Sequence, residues 1–113
     1  MAYDEKLADR VREYLYESGT TEIEEKAMFG GLAFLVKGKM CVNVSGPKLM
    51  CRFDPDLLEE IAEKNGFQSM VMKGKVYQGY GYVNPEAIGT HKELAYWLNL
   101  CLSFNDKAKS SKK

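Results

Sequence analysis

The sequence predicts an α+β fold: an antiparallel five-stranded sheet with helices, in the order α-β(3)-α-β(2)-α. Three observations carry this. Apolar runs over residues 31–53 are separated by Lys37-Gly38 and by Ser45-Gly46-Pro47-Lys48, which is turn chemistry between consecutive strands. Amphipathic stretches at 4–17, 55–65 and 90–104 have helical spacing and caps to match. A chain of 113 residues buries roughly two thirds of its unfolded surface, enough for one core and so for one domain.

Residues 4–17 form the first expected helix. Leu7, Val11, Tyr14 and Leu15 recur at helical spacing, Asp4 and Glu5 complement the positive end of the helix dipole, and Gly19 marks the exit. Residues 20–26 read as a polar, acidic passage with a further helical turn, leading to Gly30-Gly31. The run 32–36 suits a strand entered through glycine, and Lys37-Gly38 turns it back. If Val36 pairs with Lys39, alternation puts Ala33, Leu35, Met40, Val42 and Val44 on one face. Carrying that register through the turn at 45–48 adds Leu49, Cys51 and Phe53, and this is the expected core face. The opposite face then holds Leu32, Phe34, Val36, Cys41, Asn43 and Met50 among Lys39, Lys48 and Arg52.

Asp54-Pro55 opens the second helix, with Asp54 capping free N–H groups and Pro55 at the first helical position. Leu57, Leu58 and Ile61 form its buried stripe and Gly66 ends it. Residues 70–72 and 80–83 read as the fourth and fifth strands, joined by Lys73-Gly74-Lys75 or by a wider loop, with the register open. Asn84-Pro85 starts a short helical turn. Thr90-His91-Lys92-Glu93 is a capping box that opens a last helix to about residue 104, striped by Leu94, Trp97, Leu98, Cys101 and Phe104. The domain is thus expected to span 1–104, with the Lys- and Ser-rich residues 105–113 a disordered basic tail.

Charge and cysteine usage exclude several classes. The 16 basic and 16 acidic residues balance, but four lysines fall in 107–113, which leaves a body of net charge −4. Such a body is a poor electrostatic match for a phosphate backbone. No apolar run has the length of a membrane span, and the first residues are too polar for a secretory signal, so a cytoplasmic location is expected. Cys41, Cys51 and Cys101 form no CxxC pair, and the register above points Cys41 and Cys51 to opposite faces; reduced structural thiols follow.

A search for chemistry returns little. The single histidine, His91, lies in a helix cap, which leaves no nucleophile–base arrangement. No ligand spacing resembles a zinc motif, and Gly30-Gly31 and Gly79-x-Gly81 are not phosphate loops. Tyr77, Tyr80 and Tyr82 come without a basic stripe, so packing outweighs base stacking as their role. No catalytic residue, cofactor or metal is expected. Arg52 is the charged residue that stands out, because it would rise from the middle of an apolar face. It either lays its stem over that surface or anchors a partner.

Met28-Phe29-Gly30-Gly31, then Phe34 and Val36, then Gly38-Lys39-Met40 together resemble the signature of the TfoX N-terminal domain family, also called TfoX/Sxy. The opening residues 1–8, Leu49-Met50 with Arg52, and Gly79-Tyr80 with Tyr82-Val83 are similar to that family as well. The likeness covers nearly the whole chain to about residue 104. It departs over 73–81, where many members resemble Gly-Arg-Pro-Met-Lys-Gly-Tyr and this chain has no proline or arginine. The resemblance implies a fold similar to that of secretion chaperones. It also implies a link to regulation of DNA-uptake competence, in which two-domain members act as transcriptional coactivators beside the cyclic-AMP receptor protein. This chain is expected to be a stand-alone copy of the domain.

Two functions follow as expectations. The first is a non-enzymatic, regulatory protein-interaction module using the mixed face around Leu32, Phe34, Met50 and Arg52 to bind a protein partner or a second copy. The alternative is direct nucleic-acid binding through Lys37, Lys39, Lys48, Arg52 and the basic tail. Membrane contact is not expected.

Overall fold

The computed structural model describes residues 3–28, 30–105 and 107, except the side chains of residues 72, 77 and 78. The order is α1 (Glu5–Glu17), β1 (Ile23–Met28), β2 (Gly31–Val36), β3 (Lys39–Ser45), β4 (Lys48–Arg52), α2 (Leu58–Ala62), β5 (Phe67–Met72), β6 (Lys75–Val83) and α3 (His91–Asn105). Short 3-10 turns, Pro55–Leu57 and Pro85–Ala87, precede α2 and α3. The α+β class holds, as does the antiparallel sheet, but the sheet has six strands rather than five, in the order β1-β2-β3-β4-β6-β5. A one-residue parallel bridge between Tyr3 and Gly46 adds a further minimal segment.

The additional strand is β1, where a polar passage with a helical turn was expected. Only its two ends are half-buried and the four residues between are exposed, so it has no alternation for a sequence to display. Its backbone ladder with β2 holds it as an edge strand. Arg12 on α1 reaches across to it, with Nη2 donating to Glu25 Oε1 at 2.7 Å. That hydrogen bond keeps the Glu25 carboxyl below the usual carboxylate range.

The first and last helices start where their caps say they should, whereas Asp54-Pro55 opens a 3-10 turn and the α-helix that follows is only Leu58–Ala62, shorter than the expected 55–65. Asp4 accepts from the backbone N–H groups of Lys6 and Leu7, Asp54 accepts from that of Asp56, and Thr90 and Glu93 satisfy each other's donors. The hairpin β2–β3 turns on Lys37 (φ 55°) and Gly38 (φ 79°), and β5–β6 on Lys73 (φ 53°) and Gly74 (φ 78°). Both have the two positive φ angles of a type I′ turn. In both, lysine occupies a backbone region where it is uncommon.

The register inside β2–β3 is where expectation and structure part. Val36 pairs with Lys39 and Leu35 with Met40, as the turn requires, but Phe34 then pairs with Val42 and Leu32 with Val44. Cys41 is thus an extra residue, a β-bulge, and everything beyond it changes face. Leu32, Phe34 and Val36 join Val42, Val44, Leu49, Cys51 and Phe53 under the helices. There Leu7, Val11 and Leu15 of α1 and Leu94, Trp97 and Leu98 of α3 complete the main core. Trp97 stacks on Phe67 at 6.0 Å between ring centroids. The other face carries a second cluster of Ala33, Leu35, Met40, Met50 and Met70, with half-buried Met28, Tyr80 and Tyr82 packed against it. Asn43 is fully buried; its Nδ2 donates to the Met28 carbonyl at 3.1 Å and ties the β1–β2 turn to β3, while its Oδ1 has no partner.

The same bulge brings the three thiols together. Cys41 and Cys51, expected on opposite faces, both lie in the helix-side core with Cys101 of α3. Contact with Cys101 and burial push the Cys41 thiol up. For Cys101 the contact with Cys41 works downward, but the contact with Cys51 and burial outweigh it. All three are free and buried, which shuts each of them off from a reagent in solution. Native protein is therefore expected to resist an aromatic disulfide reagent over minutes, with three thiols released once denaturant is added. Rapid labelling of any one of them in buffer would contradict this packing.

Candidate partner-binding pocket at Arg52

The residues expected to share one interaction face do not share it. Phe34 is 0% exposed in the main core, with the Arg12 guanidinium 5.9 Å from its ring centroid. Leu32 is half-buried against the same core. Met50 is 1% exposed and lies in the second cluster, on the other side of the sheet. The bulge at Cys41 separates them, because one inserted residue moves Leu32 and Phe34 to the face opposite Met50. Of the four, Arg52 alone carries a functional group at the surface.

Arg52 is the last residue of β4 and pairs with Tyr80 of β6. Its guanidinium lies 5.6 Å from the Tyr80 ring centroid, and its Nη1 donates to the Met40 carbonyl over a long 3.5 Å. Among the described residues no carboxylate pairs with it. A half-buried cation with one weak hydrogen bond and one aromatic face has lost part of its hydration for little return. Next to it the chain leaves the sheet: Phe53 donates its N–H to the Gly79 carbonyl at 2.9 Å, and Pro55 starts the following turn. Gly79, with φ 89°, lets β6 pass close by, since a Cβ there would come within 3.2 Å of both the Phe53 carbonyl and Pro55 Cγ. Phe104 near the end of α3, and Lys107 just beyond that helix, close the other side. The result is a pocket of about 250 Å³ with Arg52 and Tyr80 in its wall and an apolar lining from Phe53, Pro55 and Phe104.

The basic set proposed for nucleic acid does not converge on one groove. Lys39 donates to the Asn105 carbonyl at the end of α3. Lys48 donates to Gln68 and stands at the other end of β4 from Arg52, four residues or roughly 13 Å away. Tyr80 and Tyr82 are half-buried against the second cluster, each with a cation near its ring; the Tyr77 side chain and the tail at 108–113 lie outside the described residues. Asn105, assigned to the tail by sequence, is the last residue of α3 and donates from Nδ2 to the Val36 carbonyl. His91 is exposed on α3. Among the described residues no group of histidine, cysteine or acidic side chains is arranged to hold a metal, and no helix is long and apolar enough to cross a membrane. A second depression, about 300 Å³ beside Trp97, is lined by Lys64, Lys92 and Tyr96. Its cations are exposed and so keep their water.

A comparison with protein-family models matches residues 13–105 to the TfoX N-terminal domain. The chain belongs to that family. Searches of curated proteins and of solved structures give no match. In this TfoX N-terminal domain the signature stretch has a structural reading. Gly31 leaves room for the Val44 carbonyl, Lys37-Gly38 is the hairpin turn, and Phe34 and Val36 are core. The departure over 73–81 falls on the β5–β6 hairpin, which presents exposed Val71 and Val76 opposite one another. The sequence reading placed Phe53 on the core face, Phe104 in the stripe of the last helix and Lys107 in the tail, and joined none of them, nor Gly79, to Arg52. The one signal for them was the end of the apolar stripe of α3 at Phe104.

Proposed function

We propose that this TfoX N-terminal domain is a non-enzymatic regulatory module, related in role to the transcriptional regulators of DNA-uptake competence, and that it binds a protein partner through the pocket at Arg52. The observation that carries this reading is the half-buried guanidinium with no carboxylate against it among the described residues. Arginine beside aromatic and apolar surface is the composition of binding hot spots. Family membership supports a competence-related regulatory role. The nucleic-acid alternative has weaker support, since Lys39 is engaged at a helix end and Lys48 lies at the far end of the strand.

The test is affinity capture from the native lysate with the wild type and with Arg52→Gln, followed by binding measurements on the recovered protein in purified form. The variant is expected to melt within a few degrees of the wild type and to bind at least about tenfold more weakly, as loss of a charge-assisted contact implies. Equal binding by a folded Arg52→Gln protein would remove the pocket from the interface.

A further inference from the structure

We infer that the pocket recognises an acidic-apolar peptide segment of the protein partner, in which an Asp or Glu carboxylate pairs with Arg52 and a neighbouring apolar side chain fills the space between Pro55, Tyr80 and Phe104. This rests on the interaction-module reading above and adds the chemistry of the partner. Three observations select that occupant.

Charge is the first. Arg52 presents a planar fork of donors of which one is used, and weakly. A carboxylate is the anion whose two oxygens match that fork. Lys107 at the rim adds a second positive charge, yet the body of the chain before the tail is net negative. A single carboxylate suits such a site, whereas a phosphate backbone draws its affinity from several cations acting together.

Size is the second. At about 250 Å³ the pocket falls below the roughly 300–1,000 Å³ of sites that enclose a small molecule or cofactor. It is of side-chain dimensions. The third is the lining: Phe53 is fully buried behind the pocket, and the faces of Pro55, Tyr80 and Phe104 offer an apolar wall without a further acid among them. Asp54, the nearest acidic residue in the chain, has its Oδ1 engaged in capping the turn at Asp56. A ligand carrying charge alone would leave that wall wet, and one carrying only apolar surface would leave Arg52 unpaired. The two features together define the segment.

The experiment is an amide NMR titration of the full chain with three capped dipeptides: acetyl-Glu-Phe-amide, acetyl-Gln-Phe-amide and acetyl-Glu-Ala-amide. The expected result is a set of saturable shifts confined to Phe53, Gly79, Tyr80 and Phe104, with a millimolar dissociation constant for Glu-Phe. Both controls should bind about tenfold more weakly, and Arg52→Gln should lose the discrimination between Glu-Phe and Gln-Phe while retaining its fold. No localised shift, or equal shifts with Gln-Phe, would overturn the inference. So would a stronger response at these residues to inorganic phosphate than to Glu-Phe, which would make the site one for phosphate. The same signals moving when the protein alone is concentrated would assign the pocket to a second copy and overturn the partner assignment. The two levels separate cleanly. If Arg52→Gln loses the captured partner but no dipeptide binds, the peptide chemistry fails and the module reading stands. If capture is unaffected, the module reading itself fails at this pocket.

Discussion

Gly31→Ala is expected to be among the most damaging single changes in this domain. A Cβ at Gly31 would sit 2.0 Å from the Val44 carbonyl oxygen and 2.9 Å from Asn43 Oδ1. The first of these is backbone in the neighbouring strand, held by the β2–β3 ladder through the Leu32–Val44 pair, so it cannot turn aside as a flexible side chain would. Either the ladder opens or the β1–β2 turn is displaced, and the Asn43 bond to Met28 goes with it. Overpacking of this kind costs about 3 kcal/mol, a fall of roughly 10 °C in melting temperature for a domain of this size. Gly30→Ala is the control. Gly30 has φ 73° and nothing within 4 Å of an added Cβ, so the cost there is backbone strain alone, about 1 kcal/mol. Thermal melts of the two variants check the contrast. A Gly31→Ala protein as stable as the Gly30→Ala one would refute the close approach.

Phe34→Ala carries the second large effect. With the ring fully buried beneath α1 in the main core, truncation is expected to cost about 4 kcal/mol, visible as a lower urea midpoint with little change in slope. A charge at Phe34 or at fully buried Met50 is expected to unfold the domain rather than to remove a partner from an intact surface. Val71→Ser supplies the comparison. Val71 is 59% exposed on the β5–β6 hairpin, and its loss should change stability by less than about 0.5 kcal/mol. If Phe34→Ala proved as mild as Val71→Ser, the register that buries Phe34 would be wrong.

These two results bear on how far the chain could be read. The helix starts at Asp4 and Thr90 and the turn capped by Asp54 were legible because each cap closes its hydrogen bonds within three residues. The Lys37-Gly38 turn was legible for the same reason, whereas the turn at Lys73-Gly74 stood open against a wider loop until the β5–β6 pairing was in place. The edge strand β1 was not: its four middle residues are exposed and it is held by the β2 backbone and by Arg12. Arg52 stood out in the sequence as a cation among apolar residues. Its surroundings were not visible, since Tyr80, Phe104 and Lys107 arrive from distant parts of the chain. The grouping of Leu32 and Phe34 with Met50 and Arg52 failed at one residue, the bulge at Cys41.

By itself the amino-acid sequence determined the α+β class, the helices with their caps, the tight turns and the family, because each depends on neighbours along the chain or on motifs within it. The tertiary structure alone decided which side of the sheet each β2 and β3 residue faces, the convergence of the three thiols, and the pocket that leaves Arg52 without a described carboxylate. A bulge costs little locally but inverts every side chain beyond it. What selects it is the fit of Phe34 and Val36 against α1 and α3, an energy that exists only once distant segments have packed.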